Sequence, residues 1–246
     1  LLRRTKDAVA LPALTRETVV VDLLPEQRAV YEQMEKEFIV RFSSGDYVYA
    51  PSALAQITRL RQITCSPALI GGKDVSAKTS AVADLVSIHA ANHKILIFTW
   101  FADYAKMLAG LLKAPSITGD MPVKERDAAA RRFMSDPDCR VLVMTYGAGS
   151  EGLNLQAASL IILADKDWVP ATIEQAEGRA HRRGQNNPVH VISLVARNTI
   201  DAHVEYILER KDRVLRSIDA VALLIRLICG GDVDGKAIGV HRAGSS

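Results

Sequence analysis

Residues 165–185 read DKDWVPATIEQAEGRAHRRGQ. The run before them, residues 159–164, is apolar and β-branched and has the length of a buried strand. Beyond Pro170, whose ring suits the first turn of a helix, Gln175, Arg179 and Arg182 recur at spacings of four and three. A helix running over residues 172–183 would place all three on one face. Guanidinium groups presented together suit a polyphosphate, because each planar fork donates two hydrogen bonds to neighbouring phosphate oxygens. The ordinary alternative is a solvated cationic helix face. Against it, the carboxylates of this stretch stand elsewhere, at Glu174 and Glu177, and the arginines follow closely on a strand end.

Outward from this stretch the chain alternates. Strands are expected at residues 94–99, 116–118, 140–145, 159–164 and 189–195, with helices at 76–91, 102–112, 123–134 and 172–183 between or before them. Runs such as Ile95-Leu96-Ile97-Phe98 and Val141-Leu142-Val143-Met144 are apolar without interruption, the mark of parallel strands buried on both faces. The expected class is therefore α/β, a largely parallel sheet with helices on both faces and flanking helices at both ends. Upstream, Pro25-Glu26 opens a helix expected to reach about Arg41, and Leu54, Ile57, Leu60 and Ile63 mark a second ending near Pro67. Arg59 and Arg61 read as ordinary exposed arginines, with a DNA contact as the alternative. Residues 201–225 are expected to close the domain as one long helix, and the Gly-rich residues 229–246 as a loose tail.

In such sheets the reactive groups gather beyond the carboxyl ends of the strands. Three loops qualify: Thr99-Trp100-Phe101, Thr118-Gly119-Asp120, and the small-residue segment Thr145-Tyr146-Gly147 to Asn154-Leu155. Glycines let backbone N–H groups approach an anion, and a hydroxyl adds a donor, although a glycine-bearing turn is more often a tight connection. Trp100 and Trp168 are the only tryptophans; packing is their ordinary role and stacking on a base the sharper one.

Composition narrows the classes. At 246 residues and 48% hydrophobic content, the chain can bury one large core, and a net charge of +3 permits nucleic acid without demanding it. Three separated cysteines, Cys65, Cys139 and Cys229, suit reduced thiols. His89 and His93 share a helical spacing, but Ala90 stands where a zinc protease has Glu and no third ligand is evident, so no metal site is expected. No apolar run approaches the ~20 residues of a membrane span, and no secretory signal is read at Leu1.

Gln175-Ala176-x-x-Arg179-Ala180-His181-Arg182-x-Gly184-Gln185 closely resembles motif VI of the Swi/Snf-type DNA-dependent ATPases, a branch of helicase superfamily 2, and Asp165-x-Asp167-Trp168-x-Pro170 resembles the segment preceding it. Thr145 to Leu155 resembles motif V, with Gly147, Ser150 and Glu151 departing from it; Thr99-Trp100-Phe101 resembles motif IV, and Leu1-Leu2-Arg3-Arg4-Thr5-Lys6 the linker leaving a first ATPase lobe. Gly178 and Val169 depart from the Swi/Snf pattern toward phage or bacterial relatives. The resemblance implies a RecA-like C-terminal lobe. Arg179 and Arg182 would be arginine fingers, Gly152, Asn154 and Gln175 would face the nucleotide, and Thr99, Trp100, Thr145 and Gly147 would meet DNA. It further implies a division into linker (1–24), helical appendage (25–70), lobe (71–198), brace helix (199–228) and tail (229–246), and an intracellular setting: cytoplasm or nucleoid in a bacterium or phage, nucleus in a eukaryote.

The phosphate-binding Gly-x-x-x-x-Gly-Lys-Ser/Thr loop is missing, since Gly72-Lys73 runs into Asp74, and so is any Asp-Glu doublet to hold Mg²⁺. ATP and Mg²⁺ are therefore expected to be held mainly by an N-terminal RecA-like lobe outside this sequence, and the chain alone is expected to be inactive. Double-stranded DNA translocation is the expected task of the whole. A strand-separating helicase lobe, or a non-catalytic DNA-binding scaffold, are the alternatives.

Overall fold

A computed structural model describes residues 11–149 and 153–209. Six strands form one parallel sheet, in the order β1-β8-β7-β4-β6-β5. They are β1 (Leu14–Val21), β4 (Ile95–Thr99), β5 (Ser116–Ile117), β6 (Val141–Thr145), β7 (Leu160–Leu163) and β8 (Val189–Ala196); β2 (Ile39–Arg41) and β3 (Tyr47–Tyr49) form a separate antiparallel hairpin. The central strands β4, β6 and β7 are buried at every residue. Successive side chains serve opposite faces. Ile95, Ile97, Val141, Val143 and Ile162 pack under α3 (Ala77–His89) and α4 (Ala102–Leu112). Leu96, Phe98, Leu142, Met144 and Ile161 pack under α5 (Val123–Ser135) and α6 (Pro170–Ala180). The apolar runs thus fill both layers of an α/β, RecA-like fold, as their uninterrupted hydrophobicity required.

The segment read as linker contributes the sheet's edge. Leu14–Val21 pairs with Val189–Ala196 along its full length, although five of its eight residues are exposed and only its second half, residues 18–21, is a β-rich apolar run. The helix expected to reach Arg41 stops at Glu37, because Phe38 turns left-handed (φ 57°) and its N–H closes back on the Met34 carbonyl. The chain then forms the β2–β3 hairpin before α2 (Ala53–Cys65), which Ser52 caps by accepting from the Ala55 N–H. α1 (Pro25–Glu37), α2 and α7 (Ile200–Glu209) share a further core around Tyr31, Met34, Ile57, Leu60, Ile63 and Ile200. Lys78, fully buried at the start of α3, lies 2.6 Å from Asp201 of α7, so α7 is tied to the lobe by charge as well. The expected helix over residues 201–225 is described only as far as Glu209, and the rest of it, the tail and Cys229 lie outside the described residues. Cys65 and Cys139 are free and buried. Among the described residues no helix is long and apolar enough to cross a membrane.

Candidate nucleotide and nucleic-acid interface

The order of the sheet brings the loops after β4, β6 and β7 together, because β4 sits between β6 and β7. Thr99 and Thr145 close these strands as register partners, side by side at the carboxyl edge, and both are buried. Gly147 is exposed within the single 3-10 turn Tyr146–Gly149 that follows, where a Cβ would meet no atom within 4 Å. The backbone there is open to an approaching anion.

One carboxylate ties the three loops. Asp165, at the end of β7 and 2% exposed, accepts the Trp100 N–H on Oδ1 at 2.9 Å and pairs through Oδ2 with Arg61 Nη2 at 3.1 Å. Its backbone carbonyl accepts the Tyr146 hydroxyl at 2.7 Å. Burial pushes that hydroxyl's pKa up, which keeps it a donor. Arg61 reaches in from α2, donates also to the Lys166 carbonyl at 2.8 Å, and lies 4.7 Å from the Trp168 ring centre and 5.6 Å from that of Trp100. Its expected exposure is overturned: it is 3% exposed, because three aromatic rings and a carboxylate replace its water. Arg59, which donates to Gln62, stays half-buried. Sequence reasoning missed Arg61 although its partners Asp165, Trp100 and Trp168 were all in view. Trp100, backed by Arg61 and the tilted Trp168 ring, remains 45% exposed at the carboxyl edge.

The arginine segment differs from expectation at its end. α6 stops at Ala180, with His181 as C-cap (φ −85°, ψ 79°), so Arg182 is not on the helical face of Gln175 and Arg179. It stands instead in a turn that the Gln185 N–H closes on the Arg182 carbonyl, with Gly184 at φ +95°. Gln185 is the clamp of this turn, donating to the carbonyls of Gln156, Ala158 and Ala180. The Leu155 N–H donates to the Arg179 carbonyl, so the last residue of the motif V segment is fastened to the end of α6.

Arg179 is 6% exposed, whereas Arg182 is exposed. Burial lowers the pKa of the Arg179 guanidinium, and the charge of Arg182 lowers it further. Among the described residues, neither guanidinium forms an ion pair or hydrogen bond. The carboxylates of α6 are turned elsewhere: Glu177 takes a bidentate pair from Arg16 of β1 at 2.7 and 2.8 Å. Two close cations without a carboxylate suit an anion supplied from outside. Gln175 and Asn154 are exposed, and Gly152 lies outside the described residues. Asp120 pairs with Lys106 at 2.7 Å, and that hydrogen bond, with one from Thr118, holds its pKa down to about 2.

This sheet and its loop-borne cations define a helicase C-terminal lobe, and residues 77–184 match the helicase conserved C-terminal domain. The chain belongs to the Swi/Snf-type (Snf2) branch of these domains. It is 31% identical over 242 residues to YwqA of Bacillus subtilis, whose name gives it as a candidate ATP-dependent helicase/translocase, covering 88% of this chain and 26% of YwqA. It is 32% identical over 231 residues to the mouse (Mus musculus) DNA annealing helicase and endonuclease ZRANB3, covering 88% of this chain and 20% of that protein. The Sulfolobus solfataricus SWI2/SNF2 ATPase core in complex with dsDNA superposes with a TM-score of 0.65 at 25% identity, covering 89% of this chain and 47% of that one. The chain spans about a quarter or less of the length of these curated relatives.

Proposed function

We propose that this chain is the second lobe of an ATP-driven motor that moves along double-stranded DNA, and that Arg179 and Arg182 reach the phosphates of ATP bound, with Mg²⁺, on a preceding RecA-like lobe. The observation that carries the reading is the buried Arg179 in the last turn of α6 with the exposed Arg182 in the turn beyond it, neither joined by a carboxylate among the described residues. Cations so placed stabilise charge that develops on a transferred phosphoryl group and cost little reorganisation, because α6 and the Gln185 clamp already hold them. Asn154 and Gln175, exposed on either side of the junction between the motif V segment and α6, flank the nucleotide; Gly152 takes its place there from the resemblance alone.

On the DNA side, Thr145 and Gly147 offer a hydroxyl and backbone N–H groups to phosphate, and Thr99 and Trp100 line the neighbouring loop. Such contacts position a duplex without reading its sequence. Supporting this side is the likeness to an ATPase core whose solved structure includes dsDNA. Closing of the two lobes on ATP would shift the phosphate grip by a step. The described chain holds neither a triphosphate cradle nor an acidic Mg²⁺ motif in its sequence, so alone it is inactive in this reading.

The test is Arg182→Ala, with Arg179→Ala beside it, in the protein carrying both lobes. DNA-stimulated ATPase should fall by about three orders of magnitude while DNA affinity changes little. Turnover at the parent rate would remove the finger assignment. Triplex displacement without unwinding of a forked duplex separates translocation from strand separation.

A further inference from the structure

Beyond the fingers themselves, the structure places a strap across the helix that carries them. The segment leading into β1 and β1 itself touch the C-terminal half of α6 at two points one helical turn apart. Arg16 Nε and Nη2 grip the two Glu177 carboxylate oxygens at 2.8 and 2.7 Å, and the Pro12 carbonyl lies 2.8 Å from His181 Nε2. Glu177 is 2% exposed, so its charge has been taken out of water and is answered by one guanidinium. β1 cannot give way easily, because every residue from Leu14 to Val21 is in register with β8.

Glu177 and Arg179 are two residues apart, which on a helix is about 200° of rotation. They face opposite ways. At its carboxyl end, α6 is held by the Leu155 N–H on the Arg179 carbonyl and by the Gln185 amide on the Ala180 carbonyl. The helix is thus held by two anchors, one on its end carbonyls from the motif V side and one on the Glu177 side chain from the edge strand. A rotation that slackens the Glu177 anchor must swing Arg179 and the turn holding Arg182.

We infer that Arg16 is a positioning residue for the arginine fingers: it fixes the rotation of α6 from the edge strand and so sets where the guanidiniums stand. This rests on the finger reading proposed above. Arg16 touches no reacting atom in this scheme. Its loss should be felt in turnover and not in binding, since a displacement of about 1 Å at reacting groups costs on the order of a hundredfold in rate.

The experiment uses the protein with both lobes and compares Arg16→Ala, Arg16→Lys and Arg182→Ala for DNA-stimulated kcat, KM for ATP, DNA affinity and thermal midpoint. Arg16→Ala should lower kcat about tenfold or more with KM and DNA affinity within about twofold, and Arg16→Lys, which keeps the charge but not the fork, should fall between. If Arg16→Ala turns over like the parent while Arg182→Ala is inactive, the strap is wrong and the fingers stand. If Arg182→Ala turns over normally, the finger reading itself fails. A rate loss in Arg16→Ala that vanishes on cooling, in step with a lowered thermal midpoint, makes Arg16 merely structural and overturns the inference; the Lys variant, which retains an ion pair, guards against outright unfolding.

Discussion

Replacing Arg61 by Met removes the cation at the centre of the strand-end loops while keeping much of its apolar stem. Asp165 is then left 2% exposed with the Trp100 N–H on one oxygen and nothing charged on the other. An orphaned buried charge costs about 3–5 kcal/mol. Loss of the desolvated stack on Trp168, now 4.7 Å from the guanidinium carbon, adds about 2 kcal/mol. Against a typical total of about 5–15 kcal/mol, the variant should be marginal, its thermal midpoint lowered by roughly 10 °C or more. Urea denaturation of the parent, Arg61→Met, Asp165→Asn and the double variant measures the coupling directly. Asn at position 165 can still accept from the Trp100 N–H and leaves no charge behind, so the double variant should recover about 2 kcal/mol relative to the sum of the singles. Additive single effects, within about 0.5 kcal/mol, would refute the claim that Arg61 and Asp165 form one unit.

Arg179→Lys keeps the charge and loses the planar fork, so in the two-lobed protein it should reduce turnover by about tenfold or more without weakening DNA binding; ATPase and DNA titrations decide this. Gln185→Ala strips a shared donor from three carbonyls and should cost about 1–3 kcal/mol, with faster amide exchange at Leu155 and Arg182 as its local signature. His203 of α7 has its pKa lowered from 6.5 by burial, and its Nδ1 is buried without a hydrogen bond. The unfolded chain therefore takes up that proton first, and stability should fall as pH drops below about 6.5; His203→Leu should flatten this slope in thermal midpoints measured between pH 7.5 and 5.5, and an unchanged slope would clear His203 of the effect.

The parallel sheet was legible because buried strands such as Ile95–Thr99 and Val141–Thr145 carry no polar residue until their last position. β1 was legible only in its β-branched second half, residues 18–21, because an edge strand with residues 15–18 and 20 exposed has a weak pattern of its own and is specified by the partner it meets 175 residues later. Helical periodicity carried α4 to its observed ends but carried α1 past Glu37, since nothing in its spacing announces that Phe38 will adopt a left-handed conformation. The same extrapolation kept Arg182 on α6, where His181 and Gly184 turn the chain instead. The candidate residues Thr99, Trp100 and Thr145 were singled out by motif and lie at strand ends that the fold brings together, whereas the candidate arginines lie at and just beyond the end of α6. Arg61 was missed because an arginine's burial depends on what lies over it, and those rings come from loops about forty and a hundred positions away.

The pairing of Leu14–Val21 with Val189–Ala196 has a consequence for how the lobe is made. A ribosome must deliver nearly the whole sheet before its first strand finds a neighbour, so the amino-terminal segment spends synthesis waiting and the last strand locks it in place. Contacts this far apart along the chain slow folding, and they also mean that the β1 edge of the sheet is secured only when β8 arrives. A polypeptide cut short of Val189 would lack the pairings of β8 with β1 and with β7 at once, and Arg16 would have no fixed place from which to hold Glu177.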